Sequence, residues 1–588
     1  MEFNKKSVYN CLKDYIDGLL EYQVLNIKDS NIFGAVICPA CGLIHGRIAD
    51  AFFPAMLLYK ESKDKRYFDF AEKIVNWSEK NIKIHTPEKW NGIWKNDFNN
   101  NWLGISAFSA ISIGNTLFYF KDILPGEKTE EFEKLFYNLT DGVLSFFEYA
   151  DTDRGNLHIN YIAGLACLLA LAFRLSGNEK YLKNAVIWEK KCRDNFDGDG
   201  LLFGESSPRT LLTAKNCRSI DMGYNLEETL PLLIQRSVWL GDDSLRRYYA
   251  DKFKQNLEFL LPDGGIDNSF GTRHNKWTYW GSRTTDGMLG GLVHITDLDP
   301  VFAKAIIKNF ELLKSLTKNK MLYGGFMTYE AGEPVCIHHG FAHAKALAEL
   351  FINMRENDFS KLNNVILPRE KEYGIKLFQN GSLAAVSIHK WRATVSAADN
   401  CIYLGAENFG GGLNLLWHSK RGPICAATMH RFELSEPQNM VLKRYEFEDF
   451  CGTPRLVCGA YSSDRDKSIR LEVIKNCADS AEIKATKKGE LDFSINYCFF
   501  ADRLNLKIAA DKDCTYILPI IVSKTEKVKN KKGGIVTDKG LKVTADLPLT
   551  LPLSLDTRHY NQVGGFLYFP IEINISANKL CEINISVE

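Results

Sequence analysis

The sequence predicts a multidomain α+β chain: an (α/α)6 toroid followed by an antiparallel β-sandwich. Three observations predict it. The first roughly 357 residues hold about twelve segments of helical period, many ended by turn residues. A polar stretch with one proline, roughly 358–372, interrupts the pattern. After it the apolar residues come in short alternating runs. The expected units are therefore a toroid over 1–357 that carries the catalysis, a linker over 358–372 and a β-sandwich over 373–588. A length of 588 residues exceeds one ordinary hydrophobic core, which fits more than one domain.

The chain opens on an amphipathic helix, roughly 5–25, with Val8, Leu12, Tyr15, Ile16 and Leu19 on one face. Further helices are predicted at roughly 47–63, 65–83, 103–123, 128–150, 157–176, 179–196, 224–240, 243–261, 284–295, 298–317 and 339–356. Several neighbours are joined by only a few residues, which makes them antiparallel. Twelve helices in six hairpins is the count of a six-hairpin toroid. The run from Tyr161 to Leu175 is apolar all round and suits an inner helix. Beyond the linker, strands are predicted near 375–378, 384–389, 393–397, 470–474, 495–499, 504–509, 515–521, 541–545 and 581–585. Turn chemistry such as Asn380-Gly381 separates them.

Charge and composition narrow the function. The 73 lysines and arginines balance 72 aspartates and glutamates, which argues against a nucleic-acid binder. No apolar run is long enough to span a bilayer. The 15 cysteines are odd in number and scattered, and no apolar leader is visible, so a reduced cytoplasmic protein is expected. No cofactor and no metal is expected. Cys38-Pro-Ala-Cys41 with His45 close behind is half of a zinc site or a redox pair in form, but no second such pair follows. It reads as two thiols in the loop leading to the helix that His45, Arg47 and Asp50 enter together.

Five stretches could carry chemistry. The stretch 263–291 mixes cations, carboxylates and aromatics between frequent glycines. In it Arg273 and Arg283 could pair with an acid group, and Trp277, Tyr279 and Trp280 could stack on a sugar ring. Asp286 is its candidate catalytic carboxylate. The stretch from Trp90 to Trp102 offers aromatic faces and amides to hydroxyl groups. His158 and Asn160 stand at the head of the apolar helix, where polar groups line a cavity. Asp221, Tyr224, Glu227 and Glu228 open another helix, where burial would tune a carboxyl into a working acid. His338 and His339 open the last helix and are read as helix-capping or substrate-facing.

The segment from Ile220 to Leu233, followed by Gly241-Asp242, resembles a motif of the unsaturated glucuronyl hydrolases, whose catalytic aspartate would fall on Asp221. The domain order resembles the heparinase II/III-like group of polysaccharide lyases, and in similar architecture the β-glucuronidases of glycoside hydrolase family 154. His158-Ile159-Asn160 stands near the place of the lyases' Asn-His dipeptide. These resemblances imply action on uronic acid glycans. The leading expectation is an exo-acting glycoside hydrolase that releases a glucuronic acid-type residue with paired carboxyls from Asp221, Glu227, Glu228 and Asp286. The alternative is a uronate lyase. There Tyr224 or Tyr279, with His158 or His338, moves protons while Asn160 and an arginine neutralise the carboxylate. A third reading is a glycan-binding protein without turnover. The expected partner is a uronic acid-containing oligosaccharide, without nucleic acid or membrane; a homo-oligomer is left open.

Overall fold

A computed structural model describes residues 3–26, 31–85, 90–98, 100–152, 155–400, 410–429, 450–477 and 479–588. Asn99, within the stretch from Trp90 to Trp102, lies outside them. Among the described residues the helices are α1 (Lys5–Leu20), α2 (Phe52–Ser62), α3 (Lys65–Asn81), α4 (Ser106–Phe120), α5 (Gly126–Ala150), α6 (Ile159–Ser176) and α7 (Glu179–Arg193). They continue with α8 (Met222–Tyr224), α9 (Leu230–Trp239), α10 (Asp243–Asn256), α11 (Leu289–Leu292), α12 (Pro300–Ser315), α13 (Thr328–Ala331) and α14 (Ile337–Asn353).

Six helices touch in a closed circle, α2 to α4 to α6 to α9 to α11 to α14 and back to α2. Each packs against an outer partner: α3, α5, α7, α10, α12 and, for α14, the N-terminal α1. The ring is thus closed by the two ends of the helical region. Sequence explains which helix goes where. The inner helices α4 and α6 are buried almost throughout; α6 is apolar on nearly every face, and α4 interrupts its apolar surface only with small polar residues, Ser106, Ser109, Ser112, Asn115 and Thr116. An outer helix such as α3 buries one stripe, Tyr67, Phe70, Ala71, Ile74, Val75, Trp77 and Ser78, and leaves the opposite side partly or fully exposed. Helix α6 has the length and apolarity of a membrane span, yet it lies inside the ring.

Two inner helices depart from the predicted form. The helix predicted at roughly 284–295 contracts to the single turn of α11 followed by a 3-10 turn. Gly291 explains part of this: a Cβ there would lie 2.3 Å from Pro231 Cα, so α11 meets α9 backbone to backbone. Between α8 and α9 the residues Asn225–Thr229 form a π turn, with the Leu230 N–H bonded to the Asn225 carbonyl. Pro231 has no N–H to give back to this turn, which favours the wider winding. The extra residue re-aims Glu227 and Glu228 relative to Tyr224.

The C-terminal region is all-β. Gly374–Phe378, Leu383–Ile388, Trp391–Ser396, Gly412–His418 and Gly422–Ala426 form an antiparallel meander. It is buried on both faces. Leu383, Ala385, Leu415 and Trp417 join the core of the helical ring, while Ala384, Val386, Val395 and Leu416 join the β core. Where the sequence predicts two facing sheets, the remaining strands pair into separate sheets of eight, five and three strands that share that β core. Register shifts at Thr394/Val395 and Leu416/Trp417 bend the meander.

The stretch 263–291 lies in the seam between the two regions. Asp263 accepts from Tyr279 Oη at 2.7 Å and from Trp417 Nε1 of the meander at 2.9 Å. The Gly564 N–H donates to the Trp277 carbonyl at 2.7 Å, and Arg283 donates to the Gln562 carbonyl. Asp267 accepts from Thr394 Oγ1 at 2.5 Å.

Candidate active site

One end of the ring opens into a cavity of about 310 Å³. The heads of inner helices supply its wall: His158, Asn160 and Tyr161 from α6, Tyr224 and Glu228 from α8 and the π turn, and His338 from α14. Arg47 enters from the 3-10 turn Gly46–Ala51 that leads into α2. Gly46 permits this, since a Cβ there would fall 1.7 Å from the Asn96 carbonyl oxygen. Arg273 and Lys276 enter from the seam loop. Trp102 and Tyr161, with ring centroids 5.1 Å apart, give an aromatic flank where sugar faces can stack.

Tyr224 is held from several sides. Its hydroxyl lies 2.5 Å from Thr284 Oγ1 and receives a hydrogen bond from Lys276 Nζ at 3.4 Å. The Arg273 guanidinium sits 4.3 Å from its ring centre. Arg273 also donates to Glu205 Oε2 at 3.3 Å, and His158 Nδ1 lies 3.6 Å from the same oxygen. Burial opposes the charge on Glu205, yet His158 and Arg273 hold its carboxyl below the ordinary range. Asn160 Nδ2 donates to Glu228 Oε1 at 2.7 Å.

The carboxylates behind the wall are divided by their neighbours. Burial and the Asp286 charge push Glu228 up to about 8, against the pull of Arg47 and Asn160. Asp286 is equally buried, but Arg47 and Lys345 hold it ionised below the ordinary range. Lys345 Nζ lies 2.7 Å from Asp286 Oδ2, and Arg47 binds Asp286 as well as Asp50. His338 is neutral: burial, then Arg47, His45, His339 and Lys276, depress it well below its usual value.

The structure sorts the residues that sequence singles out. It brings His158, Asn160, Tyr224, Arg273, His338 and Glu228 together at the cavity. It does not bring Asp221 there. Asp221 caps α8 through the Tyr224 N–H at 3.1 Å and latches the seam loop through Asn268 Nδ2 at 3.0 Å and the Arg273 N–H at 2.8 Å. Glu227 turns behind the wall to accept from Ser282 N–H at 3.0 Å and Thr285 Oγ1 at 2.6 Å. Asp286 is spent on Arg47 and Lys345. Trp277, Tyr279, Trp280 and Arg283 are buried seam residues: Trp277 donates to the Ile266 carbonyl, Trp280 to the Tyr323 carbonyl. The stacking role predicted for these rings is corrected, because their faces are covered by protein such as Phe566 and His343. His339 faces the Leu322 carbonyl. Sequence reasoning missed Glu205, a lone acid in a loop with no periodic signal. It noted Arg47 without giving it a role at the site.

Among the described residues that line the cavity, Glu228 is the only carboxyl, beside three permanent cations. That is not the facing pair of carboxyls a glycosidase needs. The Ulvan lyase N-terminal domain profile matches residues 12–370, and the Ulvan lyase C-terminal domain profile matches residues 375–588. The chain belongs to the ulvan lyase family. A broad-specificity ulvan lyase of Formosa agariphila is 32% identical over 608 residues, covering 97% of this chain and 92% of that protein. In fold, the chain resembles the chondroitin AC lyase of Streptomyces coelicolor A3 (TM-score 0.55, 11% identity, 100% of this chain and 80% of that one). Membership in the ulvan lyase family overturns the expectation of an exo-acting glycoside hydrolase of β-glucuronidase type. The protein is an enzyme of the polysaccharide lyase class, the alternative raised from sequence.

Proposed function

We propose that the protein cleaves a uronic acid-containing polysaccharide of the ulvan type by β-elimination at this cavity. The observation that carries the reading is the convergence of Tyr224, His158, Asn160, Arg273 and Lys276 on one cavity where Glu228, the lone lining carboxyl among the described residues, is pushed towards neutrality. β-Elimination needs a uronate, because only its carboxylate can make the C5 hydrogen acidic. The first requirement is to neutralise that carboxylate. Arg273 suits the task, with Asn160 donating and the protonated Glu228 able to donate beside it.

Tyr224 suits the base. Lys276 Nζ on its oxygen and the Arg273 guanidinium over its ring put positive charge beside the atom that would take the proton. It takes the C5 proton, the electron pair closes a C4–C5 double bond, and the C4–O4 bond breaks. His158, turned towards the Glu205 carboxylate, suits the donor that returns a proton to the leaving oxygen. No water is consumed. Trp102 and Tyr161 support the neighbouring sugar. The experiment is single substitution of Tyr224 by Phe, with ultraviolet absorbance of the new double bond followed on ulvan. The expected loss in kcat is about a hundredfold or more. Full activity in Tyr224→Phe would remove the base from this scheme.

A further inference from the structure

A second cluster of reactive side chains lies beside the cavity and takes no part in the proposed elimination. The loop after α1 folds tightly on itself, with the Gly42 N–H on the Cys38 carbonyl at 2.8 Å and the Cys38 N–H on the Leu43 carbonyl at 2.9 Å. Gly42 takes a left-handed φ of 68°, which this turn requires. The turn gathers Cys38, Cys41 and His45, and Cys336 meets them from the N-cap of α14, 298 residues further along. Cys38, His45 and Cys336 are buried, and one ligand atom from each lies within 4.8 Å of the others. Cys38 Sγ and Cys336 Sγ are 3.9 Å apart, and Cys336 Sγ and His45 Nε2 are 3.9 Å apart. Cys41 Sγ, half-buried, lies 3.5 Å from His45 Nε2.

The Cys38–Cys336, Cys336–His45 and Cys41–His45 separations are close to a tetrahedron's edges, and Cys41, outside the set of three, would move in to complete it. Zinc–sulfur bonds of about 2.3 Å and zinc–nitrogen bonds of about 2.05 Å give edges of about 3.8 Å between sulfurs and about 3.6 Å between sulfur and nitrogen. A disulfide would need the sulfurs at about 2.05 Å instead. Three thiols and an imidazole are a soft donor set, which selects zinc over calcium or magnesium. We propose that Cys38, Cys41, His45 and Cys336 bind one zinc ion, a structural centre that ties the start of the helical ring to its last inner helix. With four protein ligands the ion has no open position for substrate. Its consequence for the cavity is positional. Arg47 follows His45 by two residues and His338 follows Cys336 by two, so both wall residues are set by the loops the ion would join.

The test is metal analysis of the purified full-length chain, with chelator competition and a cobalt substitution. The expected result is one zinc per chain and, in the cobalt form, a sulfur-to-metal charge-transfer band with tetrahedral visible bands. Cys41→Ser, at the half-buried ligand, should keep the fold and weaken zinc by at least about tenfold in competition with a chromophoric chelator. Cys38→Ser and Cys336→Ser should lose the metal, whereas Cys477→Ser, an exposed thiol in the β region, should keep it. If the buried variants do not fold, the wild type decides: chelation should lower its melting temperature and zinc should restore it. The proposal is overturned if the wild type neither carries nor takes up zinc, if Cys41→Ser binds it unchanged, or if mass spectrometry finds a Cys38–Cys336 disulfide in its place.

Discussion

Glu228→Gln asks whether a proton sits on this carboxyl in the folded chain. Burial and Asp286 raise it from 4.5 to about 8. A raised carboxyl pKa means that the folded state binds the proton more tightly than the unfolded state. Between about pH 4.5 and about pH 8 the unfolded chain has lost this proton while the folded chain keeps it, so unfolding free energy falls as pH rises through that window. A difference of about 3.5 units at 1.36 kcal/mol each sets a ceiling of about 5 kcal/mol. Asp286 and Arg47 share the charge, so a loss of about 2 kcal/mol is the expectation for the wild type. Glutamine has no proton to lose, and its oxygen can still accept from Asn160. Urea unfolding of both proteins at several values from about pH 5 to about pH 8.5 reads the difference in slope, whatever the offset between them. The wild type should lose stability relative to the variant across that range. Parallel curves would show that Glu228 is ionised throughout and would remove it as a hydrogen-bond donor to substrate.

Asp221→Asn should lower stability by about 1–3 kcal/mol, because an amide has one acceptor oxygen and cannot serve both the Tyr224 N–H on one side and the Asn268 and Arg273 donors on the other; unchanged melting would refute the latch. Arg273→Lys should cut kcat/KM on ulvan about ten- to a hundredfold through the lost fork and displaced Tyr224, and equal activity would place the substrate carboxylate elsewhere. Gly291→Ala should cost about 1–3 kcal/mol of stability, since its Cβ would meet Pro231 Cα at 2.3 Å; an unchanged denaturation midpoint would mean that the helices give way freely.

Much of the ring was legible because inner and outer helices differ in how many faces they bury. Helix α6 announced itself by apolar residues on every side, α1 by a single stripe. The pairing of α1 with α14 was not legible, since nothing local in either helix names a partner over three hundred residues away. The helix predicted near 284–295 failed because glycines placed there for close backbone approach also break the helix. At the site, His158 and Asn160 were found from polar groups heading an apolar helix. Trp277, Tyr279, Trp280 and Arg283 misled for a physical reason: aromatics and a buried arginine serve a domain seam as well as a sugar pocket. Asp221 and Tyr224 looked alike in sequence, three residues apart. Only the fold shows that Asp221 spends both oxygens on backbone and amide donors while Tyr224 faces the cavity.

The claim of elimination is tested most directly by the chemistry of the product. Ulvan is digested with the purified protein in water enriched in heavy oxygen, and ultraviolet absorbance and product mass are read together. Elimination predicts rising absorbance from a C4–C5 double bond, and new ends that carry no solvent oxygen. Products without that absorbance, heavier by one solvent oxygen at each cleaved bond, would contradict the account.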